Sequence, residues 1–167
     1  AKVAVKPIPA CHFTHACADA AALLRDKYGL TAADIRSVRA LVPKEVVKTV
    51  CEPVVTKKRP QNSYDAQFSI PYIVATALAR GSFGLAHLES AALGDAEVLA
   101  LAQRVEYEVD PNSPFPKYYA GEVIVTTHDG RELRHREEIN RGAADRPLSG
   151  PDIENKFMDN MLLAGSR

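Results

Sequence analysis

Residues 6–20 read KPIPACHFTHACADA and hold Lys6, Cys11, His12, His15, Cys17 and Asp19 within fifteen positions. Three kinds of chemistry are open to such a set. Cys11, His12, His15 and Cys17 are all zinc-ligand types. All four fall within seven residues, however, and no second ligand pair follows downstream, so the spacing argues against a metal. Cys11 or Cys17 becomes a nucleophile if a histidine or a helix N-terminus activates the thiol. Cys17 lies in an alanine-rich helical stretch, where a buried structural thiol is the commoner outcome, and Cys11 is the better candidate. The third is acid–base work on a carboxylate. Lys6 offers a compact positive charge, and His12 and His15 exchange protons near neutral pH. A helix entered at Thr14 adds free N–H groups and a positive dipole end. The competing reading is structural: the histidines cap or pack the helix and Lys6 is solvated.

These residues need elements to hold them. The apolar stripe of Ala16, Ala20, Leu23 and Leu24 predicts a helix with Thr14 as N-cap and Gly29 as left-handed C-cap. A capped turn at Thr31 leads into IRSVRALVP, a strand. Residues 44–62 are ambiguous, with a loop marked by Pro53 and Pro60. YDAQFSIPYIVATALARG predicts a second helix ending at Gly81, buried on more than one side, with Pro71 in its first turn. DAEVLALAQR predicts a shorter helix capped by Asp95. RVEYEVD alternates as a half-buried strand. GEVIVTT and RELRHREEI flank Asp129-Gly130, a hairpin signal. Ser149 opens a last helix, with Asp152 in a capping-box-like position and Ile153, Phe157 and Met161 along one face. Helices come early and strands late, without β-α-β alternation. The fold class is α+β, a small and mostly antiparallel sheet with helices packed on it.

Other segments offer less. Tyr64, Asp65, Gln67 and Ser69 form a helix cap or a ligand-facing turn. The basic run Lys57 to Pro60 is too short for a nucleic-acid footprint, and RELRHREE reads as a solvated sheet face. No phosphate loop, dinucleotide fingerprint or Gly-x-Ser-x-Gly elbow occurs. The 167 residues suit one domain with a core of its own. Twenty-one basic residues balance twenty-one acidic ones, which gives no general attraction to nucleic acid or membrane. No apolar run approaches a membrane span, and the N-terminus has no signal-peptide core. Three cysteines fit a reducing compartment: the cytoplasm, or an organelle matrix in a eukaryote.

Taken together, several segments resemble one family. KPIPACHFTHACADAA resembles the K-x-x-P-x-x-x-x-T-H-x-x-x-D-A stretch of the MmgE/PrpD family. KRPQNSYDAQFSIPYIVATALARG resembles that family's D-A-Q-F-S-x-P-Y-x-x-A-x-A-L signature. LALAQRVEYEVDP, VIVTTHDGRELRHR and NRGAADRPLSGPDIENKF resemble its later segments in the same order, so the likeness runs from Lys6 to Phe157.

The resemblance implies a cofactor-independent lyase or isomerase acting by proton transfer on a small di- or tricarboxylate, in the manner of a 2-methylcitrate dehydratase. It implies no metal and no organic cofactor. Residues 1–167 resemble the family's second, smaller α+β domain. A helical first domain, absent from this chain, would supply the other wall of the active-site cleft, and a homodimer is the expected assembly. Lys6 matches the family's cleft lysine, and Thr14 and His15 match its Thr-His pair. Lys6 and His15 are therefore the expected catalytic residues, with Lys6, Cys11, His12 and Thr14 in substrate binding. In the decarboxylase branch a histidine follows the lysine closely. The aligned position here is Cys11, a departure that counts against decarboxylation of cis-aconitate and leaves dehydration or epimerisation. The isolated chain is expected to be inactive. The alternative is a non-catalytic interface or assembly module of a larger enzyme.

Overall fold

The structure, a computed structural model, describes residues 5–165. Helix α1 spans His12–Tyr28 and ends at Gly29, whose φ of 61° is the left-handed C-cap conformation. Its start differs from the sequence expectation. Cys11, not Thr14, occupies the N-cap position, and it makes no side-chain cap bond. The Thr14 hydroxyl instead donates to the Cys11 carbonyl at 2.8 Å, so this hydroxyl closes the first turn from inside the helix.

Strand β1 (Ile35–Val42) follows, then short helical turns across the ambiguous region. The expected second helix is broken in two. A single turn, Ser63–Gln67, is capped by Asn62, and helix α2 runs Ile70–Arg80. The break falls at Phe68. There the Ser69 side chain starts a new helix by accepting from Tyr72 N, with Pro71 in the first turn, where a missing N–H costs nothing. Every residue from Ile70 to Ala79 is buried. Helix α3 (Ala96–Ala102) is capped as expected by Asp95, whose Oδ1 accepts from Glu97 N and Val98 N.

Strands β2 (Val105–Val109), β3 (Gly121–Thr127) and β4 (Glu132–Glu137) complete a four-stranded sheet in the order β2-β1-β3-β4. The β1–β3 and β3–β4 pairs are antiparallel, and β1–β2 is parallel. The Asp129-Gly130 hairpin is present, joining β3 to β4. Only Gly130 takes a positive φ, at 89°. Helix α4 (Gly150–Gly165) comes last, opened by the Ser149–Asp152 exchange, in which Ser149 N donates to Asp152 Oδ2 and Asp152 N to Ser149 Oγ. The architecture is α+β.

Helix α1 lies across β3 and β4 and packs against α2, which packs in turn on α3 and β2. The core is the apolar layer between them, including Leu24, Ile35, Val38, Ile73, Leu78 and Val125. Gly121 lets α1 approach closely, since a Cβ there would stand 2.7 Å from Cys17 Sγ and 2.9 Å from Cys17 N. On the opposite sheet face, Arg39 pairs with Glu108 and Glu132, and Arg136 pairs with Asp110 at 2.7 Å. The basic run is structural as well. Buried Lys57 donates to Thr49 O at 2.8 Å, and Lys58 donates to Gln103 O at 2.9 Å. Among the described residues, no helix is long and apolar enough to cross a membrane.

Candidate active site

The stretch around Lys6 is held from three sides. Val5 N donates to Gly142 O at 3.1 Å, which ties the N-terminal segment to the loop after β4. Gly142 is required there: its φ is +88°, and a Cβ would fall 2.0 Å from the Val5 carbonyl oxygen. Cys11 N donates to Gln67 O at 2.9 Å, and Lys156 Nζ reaches from α4 to Lys6 O at 2.7 Å. The same loop supplies Arg141, whose guanidinium forms a two-pronged bond to Asp19 on α1, at 3.0 and 2.9 Å. Asn140 accepts from Tyr119 N and anchors the loop's base.

These contacts frame a groove of about 830 Å³, within the size range of small-molecule sites. Its walls are the 6–9 segment, α1 at Ala18, Asp19 and Ala22, the 81–87 loop, and the inner side of α4. Lys6, Arg141, Lys156 and His87 line it beside Asp19, Asp152 and Asp159. Lys6 is exposed. Asp19 answers the charge of Arg141, and Asp152, 3.9 Å from Arg141 Nη1, is held below the usual carboxylate range by its bonds to Ser149.

The remaining residues expected from sequence sit elsewhere. His12 and His15 come together, with ring centroids 4.9 Å apart, but neither lines the groove. His15 is fully buried, its Nε2 3.1 Å from the Ala10 carbonyl. Burial drives its pKa down to about 3, and the nearby positive charge of Lys6 acts in the same direction. The ring is neutral near pH 7, donating Nε2–H to Ala10 and leaving Nδ1 buried without a partner among the described residues. His12 is half-buried, and its pKa is lowered by burial and by Lys6; its Nε2 also lacks a partner among the described residues. Thr14 is buried with its hydroxyl on the Cys11 carbonyl. Cys11 is half-buried at the head of α1. Cys17 is fully buried, and burial raises its thiol pKa, which leaves it an inert thiol. Among the described residues, no group of three or more His, Cys, Asp or Glu is arranged to hold a metal ion.

The sequence reading missed Arg141, Lys156 and His87. Arg141 and Lys156 lie in segments quoted above for their family likeness, and His87 carried no local signal.

The groove carries Lys6, Arg141 and Lys156 beside three aspartates, and the exposed ammonium of Lys6 is the cation it offers to a small anion. Residues 8–166 match the MmgE/PrpD C-terminal domain, and the chain belongs to that family. It is 30% identical to the cis-aconitate decarboxylase of Mus musculus over 165 residues, covering 95% of this chain and 32% of that protein. To the Homo sapiens cis-aconitate decarboxylase it is 29% identical over 164 residues, covering 95% of this chain and 33% of that protein. The chain thus spans about a third of the length of the curated relatives it matches.

Proposed function

We propose that the Lys6 groove forms part of the site of a cofactor-independent lyase or isomerase that moves protons on a small di- or tricarboxylate. The supporting observation is the exposed Lys6 ammonium on the same groove as Arg141 and Lys156. In this reading Lys6 holds a carboxylate or exchanges a proton with the ligand. Cys11 sits half-buried at the head of α1. His12, Thr14 and His15 shape the first turn that presents it, and His15 acts as a neutral imidazole. Cys11, where the decarboxylase branch carries histidine, favours dehydration of a 2-methylcitrate-like substrate or epimerisation over decarboxylation. The similarity to cis-aconitate decarboxylases supports the carboxylate class. A helical first domain completes the cleft, and the assembly is a homodimer in the cytoplasm.

The exposed apolar residues Ile153, Phe157 and Met161 on α4 favour a second reading, an interface module with its chemistry elsewhere in a larger enzyme. The two readings separate on Lys6→Met in the complete natural protein, assayed on 2-methylcitrate, cis-aconitate and iminodisuccinate. A charge-assisted contact made in the transition state predicts a loss of about ten- to a hundredfold in kcat/KM. Unchanged kinetics on whichever substrate turns over would remove Lys6 from the site and leave the interface reading.

A further inference from the structure

His87 lies outside the Cys11–Cys17 cluster, yet its ring is fixed by its neighbours. Gly84 N donates to its Nδ1 at 3.0 Å. A backbone N–H can only donate, so Nδ1 must be the bare nitrogen and the proton of the neutral ring must sit on Nε2. The ring is stacked on Phe83, with centroids 5.8 Å apart and planes 26° apart. Its backbone is pinned as well, because Tyr72 OH donates to His87 O at 2.8 Å. Position, ring plane and tautomer are thus all fixed by neighbours. Nε2–H is the one group left over, with no hydrogen-bond partner among the described residues, on a residue that lines the groove.

The surroundings favour the neutral form. Burial lowers the pKa of His87 and Arg80 lowers it further, with the Gly84 backbone and Asp95 opposing. Arg80 is itself engaged by Asp95 and Glu97. The charged groups on the groove are Lys6, Arg141 and Lys156, with Asp19, Asp152 and Asp159.

We propose that His87 is a ligand-contacting residue of this groove, a neutral imidazole that donates its Nε2–H to an oxygen of the carboxylated ligand held by Lys6. This rests on the reading of the Lys6 groove as a carboxylate site and adds a directional donor to it. A charge attracts any anion, whereas a fixed N–H selects for the position of one oxygen. His87 is therefore a specificity determinant among small polycarboxylates that share a net charge.

The test uses the complete natural protein labelled with nitrogen-15 at histidine, with citrate as the probe. Long-range proton–nitrogen spectra should show His87 with bare Nδ1 and protonated Nε2 at neutral pH, and citrate should shift its Nε2 resonance. His87→Asn places an amide oxygen where Nδ1 accepts from Gly84 but cannot reach where Nε2 reaches. It should keep the melting temperature and weaken citrate binding about five- to tenfold, the loss of one neutral hydrogen bond. His87→Gln, whose amide N–H reaches the Nε2 position, should recover part of that loss. If citrate binds in a Lys6-dependent way while the His87 resonances stay still and His87→Asn binds as wild type, the inference falls and the carboxylate reading stands. If citrate does not bind the wild-type protein, both fall.

Discussion

Asp19 and Arg141 are 122 residues apart in sequence and meet side to side through two hydrogen bonds, Nε to Oδ2 at 3.0 Å and Nη2 to Oδ1 at 2.9 Å. The pair joins α1 to the loop after β4, so it fixes the distance between two walls of the groove. Both side chains are largely withdrawn from water, with 32% of Arg141 and 16% of Asp19 exposed. Such a bond does more than a surface ion pair, though solvent at the arginine discounts it. Asp19→Asn should cost about 1–2 kcal/mol of stability. Arg141→Gln should cost a similar amount, and the double variant less than the sum. Urea unfolding of the four proteins would reveal additive losses if the pair carries no coupling.

Gly142→Ala is expected to be more harmful than its small size suggests. The residue is left-handed, with φ +88°, and its Cβ would overlap the Val5 carbonyl. The N-terminal segment would have to leave the loop, taking Lys6 with it. A loss of at least about 2 kcal/mol is expected. A melting curve identical to wild type would show that the segment is not held by this approach.

Gly121→Ala tests the contact between helix and sheet. The new methyl would press on Cys17 Sγ and on Cys17 N. Overpacking of this kind typically costs about 1–3 kcal/mol. Cys17→Ala should relieve only part of it, because the backbone nitrogen remains in the way. Full rescue would mean that the sulfur alone sets the helix–sheet distance.

The buried imidazole makes stability depend on pH. His15 binds a proton more weakly when folded, so the unfolded chain carries more protons and stability rises with pH. Its contribution is complete above the ordinary value of 6.5 and is lost as the pH falls from there toward about 3. The slope for one such proton is roughly 1.4 kcal/mol per pH unit. His12 and His87 are shifted the same way and steepen the fall. His15→Gln, which keeps an N–H for Ala10, should flatten the slope between pH 6 and pH 4. Parallel curves for variant and wild type would show that His15 does not resist protonation.

Local signals were the legible part of this fold. Gly29 and Gly81 end their helices because only glycine takes the left-handed turn cheaply, and both are in that region. Asp95 and Pro71 act within one helical turn of where they stand, and Asp129-Gly130 acts within one hairpin. What was not legible depends on distant partners. Thr14 looks like a cap until the Cys11 carbonyl offers its hydroxyl a bond inside the helix. The break at Phe68 depends on Ser69, whose hydroxyl also meets Lys57 O. The parallel pairing of Val38 with Val105 has no local signature at all. The candidate site divides along the same line. Lys6 was readable from a motif, but the sealing of His15 behind Ala10 and the placement of Arg141 opposite Asp19 are products of packing between segments far apart in sequence.

Helix α4 has a consequence of its own. None of its residues is buried, and it touches the body through the 85–88 turn, Lys156 on the Lys6 carbonyl and Asp152 near Arg141. A helix held so lightly opens as a separate cooperative unit, and its amides should exchange with deuterium far sooner than those of α2. Yet α4 is also a wall of the groove. A ligand that touches both sides closes the helix as it binds, so its measured affinity is reduced by the free energy of that closure. Conversely, slowed exchange along Gly150–Gly165 would report occupancy of the groove from a helix that carries none of its proposed catalytic groups.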